Sequence, residues 1–178
     1  MNTLVTLALL SLLSTSSLFS QQSTTQSAPN PCAIPEQKQF DFWIGEWDLT
    51  WPGPKAGEVG HGTNSIKRIL DGCVVQESFS GEQQHLRGTS VSSFDARAGM
   101  WKQTWVDNEG GYLDFVGELK DGKLILQREA IGKGGAKTLQ RMVWKNISAN
   151  EFDWSWEASS DGGKTWQVQW PIHYKRKN

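Results

Sequence analysis

The sequence predicts an all-β protein, an antiparallel up-and-down β-barrel of about eight to ten strands with a short N-terminal helical turn. Short runs of alternating apolar and polar residues recur every ten to fifteen residues or so. Turn signals such as Asp71-Gly72 and Asp121-Gly122 separate them, and every link is short enough for a hairpin. No amphipathic helix of useful length interrupts the pattern. A meander of that many strands exposes its edges unless it closes, so a barrel is the natural solution and a two-sheet sandwich the alternative.

The chain is organised around Phe40–Trp51, which holds five aromatic residues in twelve positions. Trp47, Leu49 and Trp51 fall on one face and Glu46, Asp48 and Thr50 on the other, the period of a strand with one dry side. Before it, Glu36 to Phe40 suits one helical turn packed across a barrel end. Strands then follow at Gly62–Leu70, Cys73–Phe79, Arg87–Phe94, Met100–Asp107, Tyr112–Leu119, Leu124–Glu129, Thr138–Lys145, Phe152–Glu157 and Thr165–Lys175. Alternation groups Asn64, Ile66, Arg68 and Leu70 on one face, and Val75, Glu77 and Phe79 on another. It likewise groups Trp101, Gln103 and Trp105, then Leu113, Phe115 and Leu119. Phe152, Trp154 and Trp156 stand opposite Asp153, Ser155 and Glu157, and the last strand gathers Trp166, Val168, Trp170, Ile172 and Tyr174.

At 178 residues with 37% hydrophobic content the chain suits one domain, residues 35–178. Ten tryptophans imply either a thick aromatic core or an aromatic-lined cavity. A net charge of −1 gives no long-range pull toward nucleic acid or an anionic membrane. Residues 1–35 carry no charged side chain, and Leu4–Leu13 is an apolar run too short to span a bilayer. It reads as a secretory signal, residues 1–20, followed by a Gln/Ser/Thr/Pro-rich flexible lead-in, residues 21–34. The expected place of work is therefore the periplasm or the exterior, as a monomer or homodimer. Two cysteines in an exported chain invite pairing. A Cys32–Cys73 bridge would stabilise by about 4 kcal/mol through loop closure, and two separately buried thiols are the alternative.

Polar side chains on the inward face are the informative ones. By parity they are Asn64, Arg68, Glu77, Gln103 and Arg128, beside Trp47, Trp101 and Trp105. An unpaired Arg68 or Glu77 would be costly to bury. Either the two form an ion pair in a filled barrel, or they orient the polar end of a ligand between aromatic walls. The candidate ligand-binding set is Trp47, Arg68, Glu77, Trp101, Gln103 and Trp105, for a small apolar or amphipathic molecule. An enzyme using the Glu77/Arg68 pair and a solid-core interaction protein are the alternatives. No Ser or Cys stands in a nucleophilic arrangement, and no histidine or cysteine spacing suits a metal. The basic end Lys175-Arg176-Lys177 reads as a solvated tail.

Gly45-x-Trp47 on the first strand of such a barrel resembles the calycin superfamily of lipocalins, fatty-acid-binding proteins and nitrobindin-like barrels. More closely, FDFWIGEWDL at 40–49, LDGCVVQESFSG at 70–81, WKQTWVD at 101–107 and DGGKTW at 161–166 resemble an uncharacterised family of exported bacterial proteins. The resemblance implies a ligand-carrying barrel without a settled activity. Nitrobindin-like barrels hold haem through a C-terminal histidine, which makes His173 the candidate axial ligand. Its parity, opposite Trp170, Ile172 and Tyr174, puts it outside unless Pro171 marks a bulge. No other cofactor is implied. Ser159–Trp166 also resembles the Asp-box of sialidase propellers, a turn device in which the Asp caps and the Trp plugs the core.

Overall fold

The computed structural model describes residues 30–82 and 85–177; the signal segment expected at 1–20, and the lead-in as far as residue 29, lie outside them. Ten strands form a closed antiparallel barrel in which each pairs with its sequence neighbours and the last with the first. They are β1 Gly45–Pro52, β2 Val59–Ile69, β3 Val74–Gly81, β4 Arg87–Asp95 and β5 Met100–Asp107. β6 Tyr112–Lys120, β7 Lys123–Ile131, β8 Lys137–Lys145, β9 Glu151–Ser159 and β10 Gln167–Arg176 complete it. Among the described residues there is no α-helix, as the apolar periodicity of two requires. The seam is the shortest pairing: β1 meets β10 only from Trp47↔Arg176 to Thr50↔His173.

One end is shut by a 3-10 cap, Pro35–Trp43, longer than the single turn expected there. Proline at its start presets φ and needs no hydrogen bond to its nitrogen. The cap drives Phe40, fully buried, edge-on against Trp101 at 4.5 Å and Trp144 at 5.7 Å. Trp43 lies beside it with its ring tilted by 32°, and the Trp43 carbonyl accepts the Trp47 indole N–H at 2.7 Å. Two arginines hold the cap's backbone. Arg68 donates to the Gln37 and Gly72 carbonyls and ion-pairs with Asp41 at 2.6 Å. Arg176 donates to the Ile44 and Phe42 carbonyls while lying over the Trp47 ring at 4.2 Å. Gly45 makes this approach possible: its φ is +135°, and a Cβ there would meet the Arg176 guanidinium at 2.3 Å. The expected solvated tail is thus wrong for Arg176, which clamps the barrel floor.

Several inward assignments move outward, each for a local reason. Leu70 is exposed because it opens the turn into β3 with φ 50°. Leu119 stands exposed beside the Asp121-Gly122 turn. In β10 a register shift between Val168 and Trp170 inserts one extra residue, so Val168 faces out while Trp170, Ile172 and Tyr174 face in. The Asp-box loop folds over the outer face of β8 and β9. Asp161 caps it by accepting from Ser159, Lys164 and Thr165. Trp166 plugs no core: its ring covers Arg141 at 3.9 Å. Arg141 in turn pairs at 2.6 Å with Glu157, which buries Glu157 and Ser155 on a face expected to be solvated.

Cys32 and Cys73 are joined, tying the segment before the cap to the start of β3. Beside them the Asn30 amide donates to the Asp71 carbonyl at 2.7 Å. Replacing both cysteines by serine is expected to lower stability by about 4 kcal/mol on the loop-closure estimate, read as a lower denaturant midpoint at unchanged slope.

Candidate ligand-binding site

The capped end is packed solid with Phe40, Trp43, Trp47, Trp101, Trp144, Phe152 and Leu124, each at most 1% exposed. A polar layer lies above this plug. The Glu77 carboxyl, 7% exposed, accepts from the Asn64 amide and from the Ser90 hydroxyl, both at 2.6 Å. Asn64 also donates to the Tyr174 hydroxyl at 3.1 Å. Gln103 donates to Ser92 at 2.8 Å. Two acceptors in this layer, Asn64 Oδ1 and Gln103 Oε1, and the Trp144 indole N–H are buried without a partner among the described residues.

Above the layer the barrel is hollow. A cavity of about 210 Å³ runs toward the uncapped end. Glu77, Tyr174 and Trp144 lie in its wall, with Phe79, Phe115, Met142 and Ile172. Trp105, Trp154, Trp156 and Trp170 are partly exposed and carry the wall up to the mouth. These rings brace each other edge to face: Trp154 against Trp170 at 6.0 Å, Phe115 against Trp156 at 5.7 Å, and Phe79 against both Trp105 and Trp170. Trp105 is pinned further, its N–H donating to Asp107 at 2.9 Å. Its ring needs Gly88 on the facing strand, where a Cβ would stand 2.0 Å from it.

Electrostatics divide the wall into two carboxyl sites. Burial pushes the Glu77 carboxyl above its ordinary value of 4.5, against the pull of the Ser90 and Asn64 hydrogen bonds. Burial, then the nearby Glu77 charge, raises the Tyr174 hydroxyl well above its ordinary value. At the mouth the Trp105 and Gly111 N–H groups hold Asp107 below the usual carboxylate value. Among the described lining residues there is no Lys, Arg or His.

The six expected ligand residues therefore separate. Glu77 and Trp105 line the cavity. Trp47 and Trp101 belong to the plug, Trp101 with its N–H on Gln39 at 2.9 Å, and Gln103 belongs to the polar layer. Arg68 makes no pair with Glu77, because it sits at the cap and is taken by Asp41 and the cap carbonyls. Arg128 reaches the mouth, held by Gln140 at 2.9 Å and over the Phe115 ring at 6.0 Å. His173 points outward and contacts Asp153 at 2.9 Å, because the bulge that resets parity precedes it at Gln169 and leaves it opposite Ile172. It lines a second hollow of about 600 Å³ beside the seam, with Thr50, Trp51, Lys145, Asp153 and Pro171, which shares Trp154 and Ile172 with the first. Sequence reasoning missed Trp144, Trp154, Trp156, Trp170 and Tyr174 as wall residues. Alternation already placed most of them inside; the missing datum was which end the cap closes.

The buried Glu77 has a measurable consequence. Over the pH window between its unfolded and its raised folded value, the native chain holds a proton that the unfolded chain has released. Stability therefore falls as pH rises through that window. Thermal unfolding followed from about pH 4 to 8 is expected to show this slope in the wild type and a flatter one in Glu77→Gln; equal slopes would count against it.

A model for the family described as Protein of unknown function (DUF1579) matches residues 34–176, a span that includes all four segments quoted above. No curated protein matches the chain.

Proposed function

This chain belongs to the DUF1579 family of unknown function, and we propose that it is a calycin-like barrel that binds or carries a compact, mostly apolar molecule. One observation carries this: the barrel is solid at its capped end and hollow at the other, with indole walls and a polar floor. A filled interaction protein would have no reason to keep such a space, since a void forfeits dispersion contacts on every lining atom. The volume lies below the range of about 300–1,000 Å³ common for drug-sized ligands, which suits a single ring or a short branched chain. The Cys32–Cys73 bridge fits an oxidising compartment and so supports export. Among the described residues no helix is long and apolar enough to cross a membrane.

A reaction at Glu77 is the second reading, favoured by one fact: a buried carboxyl with a raised pKa stands in the wall of a cavity. The arginine that would assist it is committed at the cap to Asp41 and the Gln37 carbonyl, so binding is the better-supported role.

Titration with tert-butylbenzene, a compact neutral probe, is expected to change tryptophan fluorescence saturably. Trp156→Ala, which removes a wall, should weaken the probe by about tenfold. Trp101→Phe, in the plug, should leave affinity unchanged. Equal effects of the two substitutions would overturn the carrier role, as would a wild type that answers neither this probe nor a charged analogue of similar size.

A further inference from the structure

We infer that the ligand of this cavity is a small organic cation, an amine or quaternary ammonium carried on an apolar body. The inference rests on the carrier reading above and names its ligand class. Five indoles, Trp105, Trp144, Trp154, Trp156 and Trp170, with Phe79 and Phe115, present ring faces and edges to one space. Ring faces are the negative side of the aromatic quadrupole and attract a cation within about 6 Å of the centroid. The carboxyls are placed for the same charge, Glu77 at the floor and Asp107 at the mouth, with no cationic side chain among the described lining residues.

The remaining charged groups do not neutralise this field from within. Arg128 is held by Gln140 at the mouth, Arg68 by the cap, and Arg141 by Glu157 on the outer face. Lys145 and His173 line the hollow beside the seam and are absent from the cavity wall. Around Glu77 the packed elements contribute Asn64 from β2, Ser90 from β4 and Tyr174 from β10, all uncharged. Elsewhere in the molecule arginines already cover aromatic rings: Arg176 over Trp47, Arg141 over Trp166 and Arg128 over Phe115. Of the rings that line the cavity, only Phe115 has such a cation among the described residues. The two orphaned amide oxygens, on Asn64 and Gln103, are acceptors beside the floor and add to its negative character. The buried Trp144 N–H and the Tyr174 hydroxyl are wall donors that would favour an anion instead, and the test includes that case.

A buried cation needs a counter-charge. Glu77 supplies it by giving its proton to solvent when the cation arrives, so affinity rises with pH until the carboxyl is ionised in the free protein as well.

Phenyltrimethylammonium and tert-butylbenzene have the same shape and differ by one charge. In fluorescence or calorimetric titration near pH 8, the ammonium is expected to bind the wild type about tenfold tighter than the neutral isostere, with phenylacetate weaker than both. Lowering the pH toward 5 should erode that preference without changing tert-butylbenzene affinity. Glu77→Gln should reduce it at pH 8 in the same way, and the wild-type comparison stands even if that variant fails to fold. If tert-butylbenzene binds and the ammonium shows no advantage, or phenylacetate binds best, the cation inference is overturned and the carrier reading survives. If none of the three binds, both fall.

Discussion

Phe40, lodged between Trp101 and Trp144, is the contact on which the rest of the structure depends. Burying one such ring contributes about 1.5–3 kcal/mol, and edge-to-face partners add roughly 0.5–1.5 kcal/mol each. The ring arrives there on a short 3-10 segment that could not hold itself, since so brief a helix has little stability of its own. Arg68 and Arg176 therefore grip its carbonyls from the two sides of the barrel floor, and the Cys32–Cys73 bridge ties down its approach. The Gly-x-Trp step belongs to the same device. Gly45 vacates the space that Arg176 crosses, and Trp47 gives the guanidinium a surface to lie on.

With one end shut, a tube becomes a cup, and that gives the polar layer its meaning. A carboxyl, two amides and a phenol in mid-barrel would be solvated from below if the lumen ran through. The plug removes that water. Glu77 then relies on Asn64 and Ser90 alone, which is why burial outweighs its hydrogen bonds. Such a layer is costly in a protein that only has to fold, because apolar residues of similar volume would fill it more cheaply. Under the proposed binding role this layer serves as the polar floor of the cavity.

The architecture was largely legible in the residues. Alternation and turn dipeptides located all ten strands, because most strands are dry on one side only and the period of two survives in the chain. What failed did so where a single residue changes parity or a loop changes solvation. The extra residue at Gln169 carries no signature of its own, so Val168 was misplaced. Ser155 and Glu157 read as surface because nothing local announces that the Asp-box loop and Arg141 will cover them. The site was half legible. Glu77 and Trp105 were found from their faces, but height along the barrel axis is not written in a period-two pattern. Trp47, Trp101 and Arg68 face the same interior and lie at the wrong depth. Only the placement of the cap, a long-range event, separates plug from wall.

Depth also explains why the cavity stays open rather than collapsing around its own side chains. Trp154, Trp156 and Trp170 are large rigid plates with two torsions each, and every one is braced by another ring at right angles. Trp105 is locked from a second direction by Asp107, whose other oxygen is committed to the Glu109 and Gly111 amides of the following turn. Rotating any plate into the space would break its bracing contacts and gain few others. A wall that is already in place loses little entropy when a guest arrives, and such preorganisation is what lets a small ligand bind measurably with few contacts. The same rigidity sets the limit on size, since a molecule larger than the space cannot be admitted by side-chain adjustment alone.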